Sequence, residues 1–508
     1  MQVIVVGGGI AGISAALALA DSPNVEKVVL LEARKHLGGR VSSVKDPVTG
    51  MELDNCQHAC FRVYTRFLQL LGRVNAQSSV RLQQRTNLPF IQTNSGVSAS
   101  LRDGRLSPPN HMLGSVLKFP FLSLKDKMAM KKAVKVLQKL TEAQRMDLDD
   151  IPFDEWLRNN GQTERAIERF WGFFVLAALN LPIEEASTSV CILLFKRGLF
   201  GSADAFDAGA FTNHLSAAID EPIQRSLKDA GVEIWLNAKV NQLLWKDGEC
   251  VGVQRGEEKM LADNVVLATP QHITAKLLNP KMPIKADNTE TDHTTANKVD
   301  TATPLPSAVP FAALEVAERL NCLDYRAIIG IHALYEGIRI PENVFFYRIL
   351  DEPLIQMIFN RNSELSAQVI VPNTQWLSVP ISGADSFLKM TDEVLQAEFE
   401  KIIDKLWENN NEAELKRFFV VRSKLATFAP TSGSSKMRPS SGEVGSGITL
   451  AGDYTDHGWP STMEGATRSG LLAAAHILEM NWNQDENWPN WPTPPKRGDE
   501  RWGIWDCK

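Results

Sequence analysis

The sequence predicts an α/β fold, a Rossmann-type dinucleotide-binding domain with an α+β domain interleaved in it, and three stretches carry that prediction. Residues 3–6 are an apolar β-branched run that breaks at Gly7-Gly8-Gly9-Ile10-Ala11-Gly12 and passes into an alanine- and leucine-rich run ending near Ala20. A second apolar run, residues 28–31, stops at Glu32 and completes strand, tight turn, helix and strand. Two more glycine-bearing stretches follow, Leu37-Gly38-Gly39-Arg40 and, near the far end of the chain, Leu450-Ala451-Gly452-Asp453-Tyr454.

Within the first unit each glycine has a steric task. Gly7 makes the turn, Gly9 admits a pyrophosphate to the backbone, and Gly12 lets the helix pack closely on the strands. The helix N-terminus presents free N–H groups and a partial positive charge to the phosphates. Glu32, twenty residues beyond Gly12, stands where a carboxylate accepts hydrogen bonds from an adenosine ribose. Gly39 and Arg40, with Arg34 just upstream, read as a second approach to the diphosphate with a bidentate cation on it.

Residues 44–53 read as a hairpin around Pro47-Val48-Thr49-Gly50, followed by Asp54-Asn55-Cys56-Gln57-His58. Residues 64–74 have helical spacing, 88–92 and 97–101 look like strands, and 111–200 are mainly helical. The helix expected at 125–140 carries six lysines, with Met130, Ala133, Val134, Leu137 and Leu140 at helical spacing. It reads either as a face for an anionic membrane surface or as a solvated lysine face on a helix that packs inward. Strand character returns at 231–236, from Val240 onward, and at 263–270, and recurs between 327 and 381. Residues 390–406 look helical, 444–451 bring the chain back to the dinucleotide, and 465–480 form a closing helix. The polar stretch 285–307 is expected to be a flexible loop. After Asn481 come five tryptophans, Trp482, Trp488, Trp491, Trp502 and Trp505, expected as a surface tail. The expected organisation is thus a discontinuous cofactor domain, 1–75, 205–284 and 440–480, around a substrate domain, 76–204 and 308–439, with a tail at 481–508.

At 508 residues, 44% apolar and 22% charged, the chain has the composition of a globular protein with two sizeable cores. A net charge of −6 argues against general nucleic-acid binding, because no global positive field attracts phosphate. The six cysteines are scattered without a C-x-x-C, which suggests reduced thiols in a cytoplasm and no metal site. The chain starts directly in a strand and has no run of 18 apolar residues, so neither a cleaved signal nor a spanning helix is expected.

The glycine segments, together with Ser461-Thr462-Met463-Glu464-Gly465-Ala466, resemble the FAD-binding signature of the amine oxidase and carotenoid desaturase (phytoene desaturase-like) flavoprotein superfamily. Four stretches narrow the resemblance. Leu53-Asp54-Asn55-Cys56-Gln57-His58 with Tyr64-Thr65 is similar to a D-N-G-Q-H…Y-T segment. Ala177-Ala178-Leu179-Asn180-Leu181-Pro182 with Ala186-Ser187 is similar to A-A-L-N-x-P…A-S. Pro353-Leu354 through Phe359-Asn360-Arg361 resembles P-L…F-D-R, and Gly452-Asp453-Tyr454-Thr455 through Ala466 resembles G-D-x-T…P-x-T-x-E-x-A. Together they resemble the hydroxysqualene dehydroxylases, squalene-associated flavoproteins of bacterial hopanoid biosynthesis, over roughly residues 1–480. The sequence departs from that pattern at Cys56, where it has glycine, and at Asn360, where it has aspartate.

The resemblance implies FAD, held by Gly7, Gly9, Gly12, Glu32, Arg34, Gly39, Arg40, Val240, Gly452, Asp453, Thr462 and Met463, and with no cysteine between Cys322 and Cys507 for a thioether link the FAD is expected to be non-covalent. It implies reductive removal of a hydroxyl from a C30 isoprenoid, with contact to upstream enzymes of the same pathway and a cytoplasmic location, peripheral on the inner face of the membrane. His58 is the expected acid for the leaving hydroxyl, with Asp54 and Gln57 orienting it or a water. A carotenoid-type desaturase is the nearest rival. An amine oxidase fits less well, since Thr462 stands where such enzymes carry a cage aromatic, and a flavin-binding scaffold without turnover is the remaining alternative.

Overall fold

A computed structural model describes residues 1–282, 309–341, 343–365, 373–407, 413–481 and 488–505. The expected loop at 285–307 and Trp482 lie outside the described residues. The strands Glu233–Trp235, Lys27–Leu31, Gln2–Val6, Asn264–Leu267 and Ile448–Leu450 stand side by side in that order, all parallel. Parallel strands buried on both faces need continuous apolar sequence, and Val3, Ile4 and Val5 are fully buried. One face is covered by the helices Ile10–Ala20 and Met463–Ile477, which pack on each other. Chain segments from near the N-terminus, the middle and residue 450 therefore meet in one sheet.

A second, seven-stranded sheet runs Glu414–Phe428, Tyr325–Glu336, Gln375–Ser382, Met357–Asn360, Phe346–Leu350, Asn87–Gln92 and Ser98–Arg102. Its pairs are antiparallel except Phe346–Leu350 with Asn87–Gln92. Helices between 113 and 199 pack a phenylalanine- and tryptophan-rich core beside it. The hairpin expected at 44–53 is present as Ser43–Lys45 against Glu52–Asp54.

The lysine helix spans Leu124–Lys139 and starts at Ser123, whose hydroxyl and backbone exchange hydrogen bonds with Asp126 in a capping box. The C-terminal stretch differs from a surface tail. Gly503–Trp505 adds a strand parallel to Val80–Gln83, and Trp491 and Trp502 are buried in the core under the cofactor sheet. Trp491 Nε1 donates to Asp21 Oδ2 at 2.9 Å. The buried Asp207 carboxylate accepts from both Arg62 and Arg497, at 2.9 and 2.6 Å, and Arg62 also donates to the Pro495 carbonyl at 3.3 Å. Aromatic burial and paired charges hold this segment in place.

Candidate cofactor and active site

The site begins where the first strand ends. Gly7 has φ +110°, and a Cβ there would lie 2.5 Å from the Ala268 carbonyl oxygen, so only glycine makes this turn. The helix that follows is capped by Gly9 without a side-chain bond and has no acid in its first turn, leaving its N–H groups for an anion. Gly38 N donates to the Gly8 carbonyl at 2.9 Å, which lays the Gly38-Gly39-Arg40 turn along the first loop. Glu32 is buried at the end of its strand and accepts from Gly8 N at 2.6 Å and from Arg34 N at 2.8 Å. The Arg34 side chain reaches the Gly39 carbonyl at 3.4 Å. Ala238 N donates to the Glu32 carbonyl at 2.8 Å, bringing the stretch that contains the buried Val240 up to the same strand end.

The C-terminal segment closes the other side. Arg40 Nη2 donates to Asp453 Oδ1 at 2.5 Å, and Asp453 also accepts from Ser461 Oγ. Burial by itself would raise the Asp453 carboxyl, but the Arg40 charge and hydrogen bond, with Ser461, outweigh it and hold the group below the usual carboxylate range. Gly452 N donates to Ser469 Oγ at 2.8 Å. Thr462 caps the closing helix through Gly465 N, which sets Met463 at its first position.

These features suit an FAD. Nothing lies within 4 Å of where a Cβ on Gly9 would point, which leaves open backbone for a pyrophosphate. The buried atoms Asn55 Oδ1 and Gln57 Oε1 have no hydrogen-bond partner among the described residues, and Asn55 Nδ2 donates to the Arg40 carbonyl at 2.8 Å, which sets this segment beside the second glycine turn. When bound, FAD supplies a two-electron store; the chain's own groups orient it and the substrate.

Behind Asn55–His58 lies a buried charge network. Arg361 donates to Asp54 Oδ2 at 2.9 Å and to Glu364 Oε2, and both carboxylates and the guanidinium are almost wholly buried. Gln57 Nε2 donates to the two Glu364 oxygens at 3.2 and 3.1 Å. Burial pushes the Glu364 carboxyl up to about 7, against the pull of Arg361 and Gln57. Asp54 further accepts from Ser43 Oγ and Leu215 N, and its carbonyl accepts from His332 Nε2 at 2.8 Å. With those bonds the Asp54 carboxylate is occupied by Arg361, the Ser43 hydroxyl and Leu215 N, and does not orient His58. A Cβ on Gly330 would sit 3.0 Å from the Asn55 carbonyl oxygen, so a glycine there lets the substrate sheet press directly on this segment.

His58 Nδ1 lies 2.9 Å from the Cys56 carbonyl, which can only accept, so Nδ1 carries the proton and Nε2 is left as an acceptor. Burial lowers its pKa; the Cys56 carbonyl and Asp54 oppose this, and Arg361 and Arg40 add to it. The resting imidazole is therefore neutral near pH 7, not the proton-charged group expected of a resident acid. Cys56 is buried and is absent from the positive-φ residues, so its backbone needs no glycine. Asn360 uses what aspartate lacks: its amide donates to the Pro341 and Val344 carbonyls at 3.2 and 3.0 Å.

Beside Thr462 lies a cleft walled mainly by Phe61, Tyr64, Leu193, Leu194, Phe206 and Trp459, with Arg197 at its edge. The Trp459 face carries Arg468 at 4.8 Å and Arg197 at 5.9 Å. Sequence reasoning missed Glu364, His332 and Trp459. Only Glu364 left a trace, an acid three residues after Arg361 on one short helix.

The comparisons agree with this geometry. The flavin containing amine oxidoreductase family matches residues 10–478. The 15-cis-phytoene desaturase of Synechococcus elongatus is 24% identical over 96% of this chain and 97% of its own. The zeta-carotene desaturase of Synechocystis is also 24% identical, over 94% and 97%. Among solved structures, an oxidoreductase from Methanosarcina mazei superposes with TM-score 0.66 at 16% identity, covering 94% of this chain and all of its own (100%). Cyclohexylamine oxidase from Brevibacterium oxydans does so with 0.63 at 16%, covering 94% and 98%, and at these identities the likeness is one of fold. With the match running from the glycine loop to the closing helix, the chain belongs to the flavin containing amine oxidoreductase family and is an FAD-dependent oxidoreductase.

Proposed function

We propose that this flavoenzyme acts on a long apolar isoprenoid and reductively removes the hydroxyl of hydroxysqualene to give squalene in hopanoid biosynthesis. The observation that carries the reading is the cleft beside Thr462, whose walls are aromatic and aliphatic along most of their length. The four stretches around Asp54–His58, Asn180, Arg361 and Asp453 support it, and the isoprenoid-desaturating relatives support the substrate class. In the reaction the allylic C–O bond breaks and a C–H bond forms at the same carbon. Two electrons come from reduced FAD, and the hydroxyl leaves with a proton as water. The aromatic faces of Phe61, Tyr64 and Phe206 exclude water and shield developing positive charge on the allylic carbon. His58 takes part as an acid only after taking up a second proton on Nε2.

A second reading, desaturation of a carotenoid precursor, is favoured by the relatives and by one observation in the site. A neutral His58 with a free Nε2 is ready to accept a proton, which desaturation requires. Product analysis separates the two. Reduced enzyme given hydroxysqualene should form squalene, and oxidised enzyme given 15-cis-phytoene should leave it unchanged. Dehydrogenated phytoene without any squalene would replace the first reading by the second.

A further inference from the structure

We propose that the surface formed by the helices Leu113–Lys118 and Leu124–Lys139 docks this enzyme on an anionic lipid surface. Leu124–Lys139 buries Asp126, Met130, Ala133 and Leu137, which share one face. On the opposite face, within about 60° of one another, stand Leu124, Met128, Lys131 and Lys135. Leu124 is 71% and Met128 61% exposed, one helical turn apart, with no core to fill. On the adjoining helix Leu113 and Leu117, again one turn apart, are exposed as well, Leu117 by 55%. Lys127 Nζ donates to the Leu117 carbonyl at 2.9 Å and ties the two helices into one surface. Of twelve exposed large hydrophobic residues among the described ones, these four and Leu106 fall within one stretch of 23 residues, positions 106–128, which makes a patch and not a scatter.

The charge around the patch selects its occupant. Lys118, Lys125, Lys131, Lys132, Lys135 and Lys139 are all exposed, and the one acid of the long helix, Asp126, is buried and bonded to Ser123 and Thr163. Apolar side chains ringed by ammonium groups match a bilayer surface, where acyl chains lie beneath phosphate. Between the two helices the buried Phe119 begins a run of packed aromatic rings. Rings touch in sequence from Phe119 to Phe90, Phe173, Phe174, Phe206 and Phe61, with centroids 4.8–5.5 Å apart. Phe61 and Phe206 both wall the cleft beside Thr462. The docking stands whichever isoprenoid the site takes, since it is read from surface residues alone.

The test is sedimentation of the FAD-loaded full chain with phosphatidylcholine vesicles, with and without phosphatidylglycerol, in the absence of any isoprenoid. The parent should sediment with the anionic vesicles. K131Q/K132Q/K135Q should partition at least tenfold less, since each lysine near such a surface is worth about fivefold. L124S/M128S should also lose most of its binding, with flavin absorbance and melting temperature kept in both variants. A parent that stays in the supernatant, or variants that sediment like the parent, would overturn the proposal. So would a salt-resistant dimer that L124S/M128S converts to monomer, which would make a second copy of the chain the occupant.

Discussion

Arg40 and Asp453, 413 residues apart, meet at 2.5 Å and join the second glycine turn to the C-terminal cofactor segment. The pair is unequal: the Arg40 side chain is 42% exposed and that of Asp453 only 8%. Arg40→Ala removes the cation expected on the diphosphate and strands a buried carboxylate. FAD affinity should fall by about 1–3 kcal/mol or more, and Glu32→Ala should cost a similar amount by losing a charge-assisted bond. Titration of the apoprotein with FAD measures both. Unchanged affinity in both variants would remove these residues from the cofactor site.

Arg361 is the only cation bonded to the buried carboxylates Asp54 and Glu364 among the described residues. Arg361→Met should destabilise the fold by about 3–5 kcal/mol in denaturant, because two carboxylates lose their partner inside the protein. Adding Glu364→Gln and Asp54→Asn should restore much of that loss. A triple variant no more stable than Arg361→Met would show that packing, and not charge, holds this network.

The legible parts of the fold were those whose cause is local. Gly7 announced its turn and Glu32 its place at a strand end because turn, helix and strand lie within thirty residues, and the lysine helix showed itself by period. The network behind the Asn55–His58 segment was illegible because Gln57 and Glu364, like Asp54 and Arg361, are 307 residues apart. Asp54 therefore read as a partner for nearby His58 when its partner is a distant arginine. The tail was misread for another reason. Its tryptophans fall among prolines with no period of 2 or 3.6, so nothing in their spacing reveals that Trp491 and Trp502 are buried.

The neutral resting state of His58 gives the two functional readings opposite pH dependences. Its pKa lies below the ordinary 6.5, chiefly through burial, so the doubly protonated ring appears only as pH falls beneath that value. Dehydroxylation assisted by His58 should accelerate as pH falls below 6.5, and His58→Gln should flatten the profile and slow the step by roughly 10²–10⁴-fold. Desaturation that uses Nε2 as acceptor should slow over the same range. A flat profile in the parent would remove His58 from proton transfer in either direction.

FAD should be bound without a covalent link. Cys56 lies two residues before His58 and is buried, and that burial pushes its thiol up to about 12, so the nucleophilic thiolate is absent. No cysteine lies between Cys322 and Cys507, the span that contains the C-terminal flavin segment. Acid precipitation should leave the yellow colour in the supernatant. Colour retained in a washed pellet would show a covalent bond.

The most direct test is a single turnover without oxygen. Photoreduced enzyme, mixed anaerobically with hydroxysqualene, is followed by flavin absorbance while the quenched mixture is assayed for squalene. The oxidised flavin band should return with squalene formed in equal amount and at the same rate. A band that stays bleached, with hydroxysqualene recovered intact, would contradict reductive dehydroxylation by this enzyme.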